Sequence, residues 1–185
     1  MILITTSGRP TQRIRSFCND LQRVIPNSLR VNRGKLSRTG ITEKALEINT
    51  YGIIVVERWK GGPGNIKLYV PPFSEVFSTL YLKGVKLQDE VGKRVVVKKN
   101  LVVTVEKNLP SSVKHLAESL SKFLSVQIFE ELPIYTSPNA SVHFSLCKSD
   151  VRIAFTMPPI INEIGPILML NTTINGALGE MPLER

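Results

Sequence analysis

Apolar residues fall along this chain in two alternating rhythms, short uncharged runs and longer stretches with helical spacing. Ile2–Thr6 is short, β-branched and free of charge, the pattern of a buried strand. The segment from Ser7 to Thr11, with Gly8 and Pro10, is a turn. From Thr11 to Ile25 the apolar positions are Ile14, Phe17, Cys18, Leu21, Val24 and Ile25. They mark one face of an amphipathic helix, with Thr11 placed as its N-cap. Pro26-Asn27 ends that helix. Ser28–Val31 then reads as a short strand, Asn32–Ile41 as a basic loop, and Thr42–Asn49 as a short helix capped by Thr42. Gly52–Glu57 and Ile66–Val70 are strands joined across Lys60–Asn65 as a hairpin. Pro71-Pro72 breaks the sheet, and Glu75–Leu82 forms a further strand. Lys83–Lys99 is charged and irregular, with a strand expected at Arg94–Lys98.

The pattern then starts again. Leu101–Val105 is an uncharged strand, Asn108–Ser112 a turn, and Val113–Leu124 an amphipathic helix. A shift of 99 residues lays Ile14 on Val113, Phe17 on Leu116, Cys18 on Ala117, Leu21 on Leu120, Val24 on Phe123 and Ile25 on Leu124. The preceding strands follow in the same register, Ile2 on Leu101 and Thr5 on Thr104. Ser125–Glu131 is a short strand. Ser141–Cys147 and Val151–Thr156 form a hairpin, Ile164–Thr173 is the last strand, and 175–185 is a loose tail. Strands alternating with helices predict an α/β or α+β fold rather than a sandwich. The chain divides into an N-terminal half, 1–99, and a C-terminal half, 100–174, each a mixed sheet with one long amphipathic helix.

With 185 residues, 42% of them hydrophobic and 21% charged, the chain has ordinary globular usage. That excludes disordered, collagen-like and coiled-coil classes. No apolar run approaches the ~20 residues of a membrane span. The first residues make a poor signal peptide and a good first strand. The two cysteines, Cys18 and Cys147, have no metal spacing, and no disulfide framework is expected. No cofactor is expected.

Charge narrows the function. Twenty-four basic against fifteen acidic residues give a net +9, with a pI near 9.8. Residues 1–40 hold Arg9, Arg13, Arg15, Arg23, Arg30, Arg33, Lys35 and Arg38 against the single acid Asp20, while residues 130–185 are net acidic. An uneven, arginine-dominated excess predicts a polyanionic partner, nucleic acid first and an anionic membrane surface second.

Catalytic patterns are missing. Gly61-Gly62-Pro63-Gly64-Asn65 sits between strands and lacks the Lys-Ser/Thr that completes a phosphate loop, so it reads as a turn. The only histidines, His115 and His143, read as surface or boundary residues, and Cys18 as a small core residue. No enzyme is expected. What remains is the basic region. Arg9 precedes the first helix, where free N–H groups also favour an anion. Arg13 and Arg15 avoid its apolar face. Asn32, Arg33, Lys35 and Arg38 extend the patch, and with their loop folded near the helix start six cations surround one site. Trp59, after Arg58 at a strand end, can stack on a base; the simpler expectation is that it packs at the rim of the core. With so few aromatics, RNA recognition would rest on backbone charge and shape more than on stacking.

These residues resemble a known family. The run from Ile4 through Arg9-Pro10-Thr11 to Phe17, then Val24–Asn27 and Arg30–Lys35, is similar to the opening of the Brix domain. Val151–Phe155 followed by Glu163-Ile164-Gly165-Pro166 resembles its closing motif. The likeness spans about residues 2–174. It is nearest the branch of the U3 snoRNA-associated small-subunit processome protein, and without long extensions the chain resembles archaeal members. The resemblance implies one Brix domain over 1–185, two halves each like the anticodon-binding domain of class II aminoacyl-tRNA synthetases, and no enzymatic activity. It implies a ribosome biogenesis factor assisting pre-rRNA processing and small-subunit assembly. Its partners would be an rRNA precursor or guide RNA and other ribosome assembly proteins, with no membrane. It would work in the cytoplasm, or in the nucleolus if eukaryotic. Arg9, Arg13, Arg33 and Lys35 fall on the family's basic positions. The alternative function is a tRNA-binding, anticodon-binding-like module.

Overall fold

A computed structural model describes residues 1–92, 94–132, 138–148, 150–158 and 162–170. The strands β1 (Ile2–Thr6), β2 (Ser28–Arg30) and β3 (Gly52–Trp59) run parallel, and β4 (Gly62–Tyr69) and β5 (Ser78–Lys86) continue them antiparallel. The same pairings recur in β6 (Leu101–Val105), β7 (Ile128–Phe129) and β8 (Ala140–Cys147), followed by β9 (Asp150–Met157) and β10 (Asn162–Leu170). Across one mixed sheet the order is β2-β1-β3-β4-β5-β10-β9-β8-β6-β7, with β5 and β10 antiparallel at the centre. The helices are α1 (Gln12–Val24), α2 (Arg38–Glu47), α3 (Gln88–Val91) and α4 (Ser111–Leu124). The fold is therefore α+β. β1 and β6 begin 99 residues apart, as do α1 and α4.

Side-chain alternation along the strands sorts the helices between two faces. Ile2, Ile4, Ile54 and Val56 point to one face, where α1 delivers Ile14, Phe17, Cys18, Leu21 and Val24. α4 adds Val113, Ala117, Leu120, Phe123 and Leu124 to the same core. Leu3, Ile53 and Val55 point the other way, against Ile41 and Ala45 of α2 and against Tyr69 and Phe73. β1 is thus buried on both sides along all its length. Phe17 has no exposed surface, and truncating a core phenylalanine costs roughly 3–5 kcal/mol. Leu116, expected in the core, is only partly buried at its edge.

In the stretch 83–99, where the sequence pattern was irregular, the described residues after β5 form a strap. β5 runs on to Lys86, and α3 follows at once. Gln88 is fully buried; its amide donates to the carbonyls of Val95 and Ile164, at 2.9 and 2.8 Å. Its backbone N–H donates to Asp20 Oδ2 at 2.9 Å, and Val97 N–H donates to the Arg23 carbonyl at 2.7 Å. The strap therefore pins α1 to β10, and the strand expected at 94–98 does not form.

Other boundaries move for identifiable reasons. α2 starts at Arg38 rather than Thr42, because Ser37 Oγ accepts from the Gly40 N–H at 3.0 Å and so provides the cap. Thr42 then lies inside the helix. β4 begins at Gly62, so the expected loop Lys60–Asn65 shortens to a tight turn at Lys60 and Gly61, with φ of 46° and 87°. β5 is displaced from Glu75–Leu82 to Ser78–Lys86. The tail 175–185, and the part of the last strand expected beyond Leu170, lie outside the described residues.

Candidate nucleic-acid interface

Parallel pairing decides where the basic residues go. Because β2, β1 and β3 point the same way, the segments leaving their C-terminal ends share one edge of the sheet. Those segments are the turn 7–11 with Arg9, the loop 31–37 with Asn32, Arg33 and Lys35, and the end of β3 with its turn into β4, which carries Arg58, Trp59 and Lys60. α2 begins from the same edge, with Arg38 as its first residue. The carboxyl ends of parallel strands are a common place for ligands in open sheets.

The turn after β1 is held on both sides. Ser7 N–H donates to the Val56 carbonyl at 2.9 Å. The Thr11 hydroxyl accepts from Ile14 N–H at 3.4 Å, capping α1 as expected, and donates to the Gly61 carbonyl at 2.8 Å. That second bond fastens the turn to the β3–β4 hairpin. Arg9 lies between, exposed, with φ of 52°.

On the α2 face, Ser7, Gly8, Arg33, Arg38, Tyr69 and Phe73 line a cavity of about 170 Å³. Arg33 Nε donates to the Leu36 carbonyl at 2.7 Å, which fixes its direction. The Arg38 guanidinium stands over the Tyr69 ring, 5.0 Å from its centroid. Lys67 and Glu57, also at this cavity, pair with each other at 3.0 Å. Two oriented guanidinium forks with no acid partner among the described residues suit phosphate.

The remaining predicted residues divide. Lys35 is exposed on the same loop. Asn32 is exposed, and its Oδ1 accepts from Arg30 Nη2 at 2.9 Å. Arg15 is exposed on α1, which packs on the opposite face of the sheet from α2. Arg13 is engaged: it donates to both Glu90 oxygens and to the Val85 carbonyl. That contact holds the Glu90 carboxyl below its usual range, raises the Arg13 guanidinium, and relieves the charge that Arg13 sets against the helix dipole. The six cations expected around one site are thus split between two faces.

Trp59 does not pack at the rim of the core. It is 68% exposed, the highest value among the large hydrophobic side chains described. Arg58 and Lys60 beside it are exposed too. Arg58 and Lys60 were not counted with the basic site, although Trp59 was read as able to stack on a base; the available signal was a basic-aromatic-basic triplet at the end of a strand.

Elsewhere the described residues offer little chemistry. A cavity of about 580 Å³ lies between the ends of α1 and α4, among Ile25, Asn27, Tyr51, Asn100, Leu124 and Gln127, and no charged residue lines it. No cluster of three His, Cys, Asp or Glu among the described residues could hold a metal. His143 is half-buried, its Nδ1 3.0 Å from Thr104 Oγ1, and burial lowers its pKa. Cys18 is buried, with its thiol pushed up to about 12 by desolvation. No described helix is long and apolar enough to cross a membrane.

No family model matches the chain. A probable Brix domain-containing ribosomal biogenesis protein of Methanococcus maripaludis is 34% identical over 142 residues, 76% of this chain and 77% of that protein. Its counterpart in Pyrococcus horikoshii is 39% identical over 139 residues, 71% of this chain, and that match spans 58% of the relative's length. A crystal structure of a probable ribosomal biogenesis protein from Aeropyrum pernix K1 has a TM-score of 0.77 at 26% identity, covering 99% of this chain and 97% of that one. The crystal structure of Mil, an archaeal Imp4-like protein, shares the fold with a TM-score of 0.63 at 19% identity, covering 91% and 95%.

Proposed function

The chain belongs to the family of Brix domain-containing ribosomal biogenesis proteins, and from that premise we propose that it is a non-catalytic, RNA-binding ribosome assembly factor. The observation that carries the RNA reading is one sheet edge. Arg9, Arg33, Lys35, Arg38, Arg58 and Lys60 gather there, none in an ion pair with an acid among the described residues. Such a surface holds phosphates by counterion release and reads shape rather than sequence. The factor assists pre-rRNA processing and small-subunit assembly in the cytoplasm. It holds a segment of rRNA precursor or guide RNA in a productive arrangement and then releases it. Other assembly proteins meet its less basic C-terminal half.

The same reading takes residues 1–185 as one Brix domain of two related halves, 1–99 and 100–174, each like an anticodon-binding domain. The mirrored strand order and the shared 99-residue offset support it. Crosslinking and sequencing of bound RNA in the protein's own cells tests the function. The control changes Arg9, Arg33, Arg38 and Arg58 together to Glu. Reads concentrated in precursor rRNA, and lost in the variant, are the expected result. Reads concentrated in tRNA would instead assign the chain as a tRNA-binding module.

A further inference from the structure

Trp59 is exposed where burial would be worth most. A tryptophan buries about 150–250 Å² when it packs, yet this ring is 68% exposed, and neither its aromatic nor its cationic neighbours engage it among the described residues. Its stem, in contrast, is held. Trp59 pairs with Gly62 just after a register shift at Glu57 and Arg58. Gly64 runs so close beside it that an added Cβ would lie 2.2 Å from Trp59 Cβ. Only glycine fits there. The Thr11–Gly61 bond ties the hairpin tip to the turn that carries Arg9. A flat ring on a fixed stem therefore faces solvent, with exposed Arg58 and Lys60 as its neighbours along the chain.

We propose that Trp59 is a stacking platform for one unpaired base of RNA, with Arg58 and Lys60 on the adjoining phosphates. This rests on the RNA-binding reading and narrows it: the segment bound at the hairpin is single-stranded or bulged. A duplex keeps its bases inside the stack, whereas an unpaired base presents a face to an aromatic ring whatever its identity. The exposed cations before and after it in the chain favour a polyanion over an apolar peptide. Stacking on this ring adds a contact that charge and shape alone lack.

The chain's single tryptophan makes its fluorescence a direct reporter. The full chain is titrated with a short single-stranded RNA and with a blunt RNA duplex, and binding is followed in parallel by anisotropy of the labelled RNA. Saturable quenching by the single strand is expected, with little change from the duplex. Trp59→Ala should weaken single-strand binding roughly 5- to 150-fold, Trp59→Phe should retain most of it, and duplex affinity should hardly move. Single-strand binding without quenching, at unchanged affinity in Trp59→Ala, overturns the platform and leaves the RNA reading standing. Equal losses for both RNAs in Trp59→Ala overturn it as well, since the ring would then act on the fold. Failure of both RNAs to bind removes the platform together with the reading it rests on.

Discussion

The Arg13 guanidinium meets the Glu90 carboxylate through two bonds, Nη1 to Oε1 at 2.8 Å and Nη2 to Oε2 at 3.0 Å. Glu90 Oε2 also accepts from the Leu87 N–H at 2.7 Å, so the pair joins the first turn of α1 to the start of α3. Both side chains are 43% exposed, and water screens them. Arg13→Ala should therefore cost only about 0.5–1 kcal/mol in urea unfolding and leave RNA affinity nearly unchanged. Glu90 titrates lower in the folded chain than its ordinary 4.5, chiefly through Arg13. The pair's contribution is therefore present above 4.5 and lost as pH falls through the folded value. The destabilisation by Arg13→Ala should shrink in acid.

Asp20 makes the opposite prediction. Burial is the largest influence on it and raises its pKa above the ordinary 3.8, although Gln88 and Arg23 pull it down. The folded state binds the proton more tightly, so stability from this group falls as pH rises through 3.8 towards the folded value. Asp20→Asn removes that titration and keeps an acceptor for the Gln88 N–H. The stability advantage of the native chain over Asp20→Asn should narrow as pH rises above the ordinary 3.8. Asp20→Ala also leaves the buried Gln88 N–H unpaired and should be roughly 1–3 kcal/mol less stable than Asp20→Asn.

Salt separates phosphate contacts from structural cations. Arg33→Ala and Arg38→Ala should each lower the slope of log affinity against log salt by about 0.7–0.9 and weaken all RNA sequences alike. Arg13→Ala should leave the slope alone. A slope equal in all three variants would place the phosphates elsewhere.

The two thiols should react very differently. Cys147 is exposed, while Cys18 is buried on α1 and pushed up to about 12. A maleimide at neutral pH should modify Cys147 alone in the native chain, and Cys18 only on unfolding, as intact mass resolves. Native labelling of Cys18 would show that α1 lifts readily from the sheet.

Gly165 lies where β10 crosses α1. A Cβ there would come within 2.6 Å of Phe155 Cβ and 2.8 Å of Val24 Cγ1. Gly165→Ala should lower stability by roughly 1–3 kcal/mol through overpacking, read from thermal or urea midpoints. The Glu163–Pro166 motif thus carries a packing requirement.

Much of the fold was legible because periodicity carries it. The face of α1 from Ile14 to Val24, and the uncharged strands at Ile2 and Leu101, follow from spacing alone. α2 was misplaced because Ser37 and Thr42 offer the same capping chemistry, and only tertiary context chooses between them. α3 has four residues, too few for a period, and its anchor is a buried glutamine that no hydrophobic pattern reveals. Arg9, Arg33 and Arg38 were legible as charge. That Arg13 leaves them for Glu90, far along the chain, was not. Trp59 was misread because tryptophans usually pack, and its exposure depends on the tight turn at Lys60 and Gly61.

Among the described residues the sheet's two outermost strands, β2 and β7, are three and two residues long. Edges that short give an extended foreign strand almost no ladder to join. A broad sheet exposed during crowded ribosome assembly would otherwise invite edge-to-edge aggregation. Margins this short offer little to β-augmentation and leave the loops at the strand ends as the surface open to other chains.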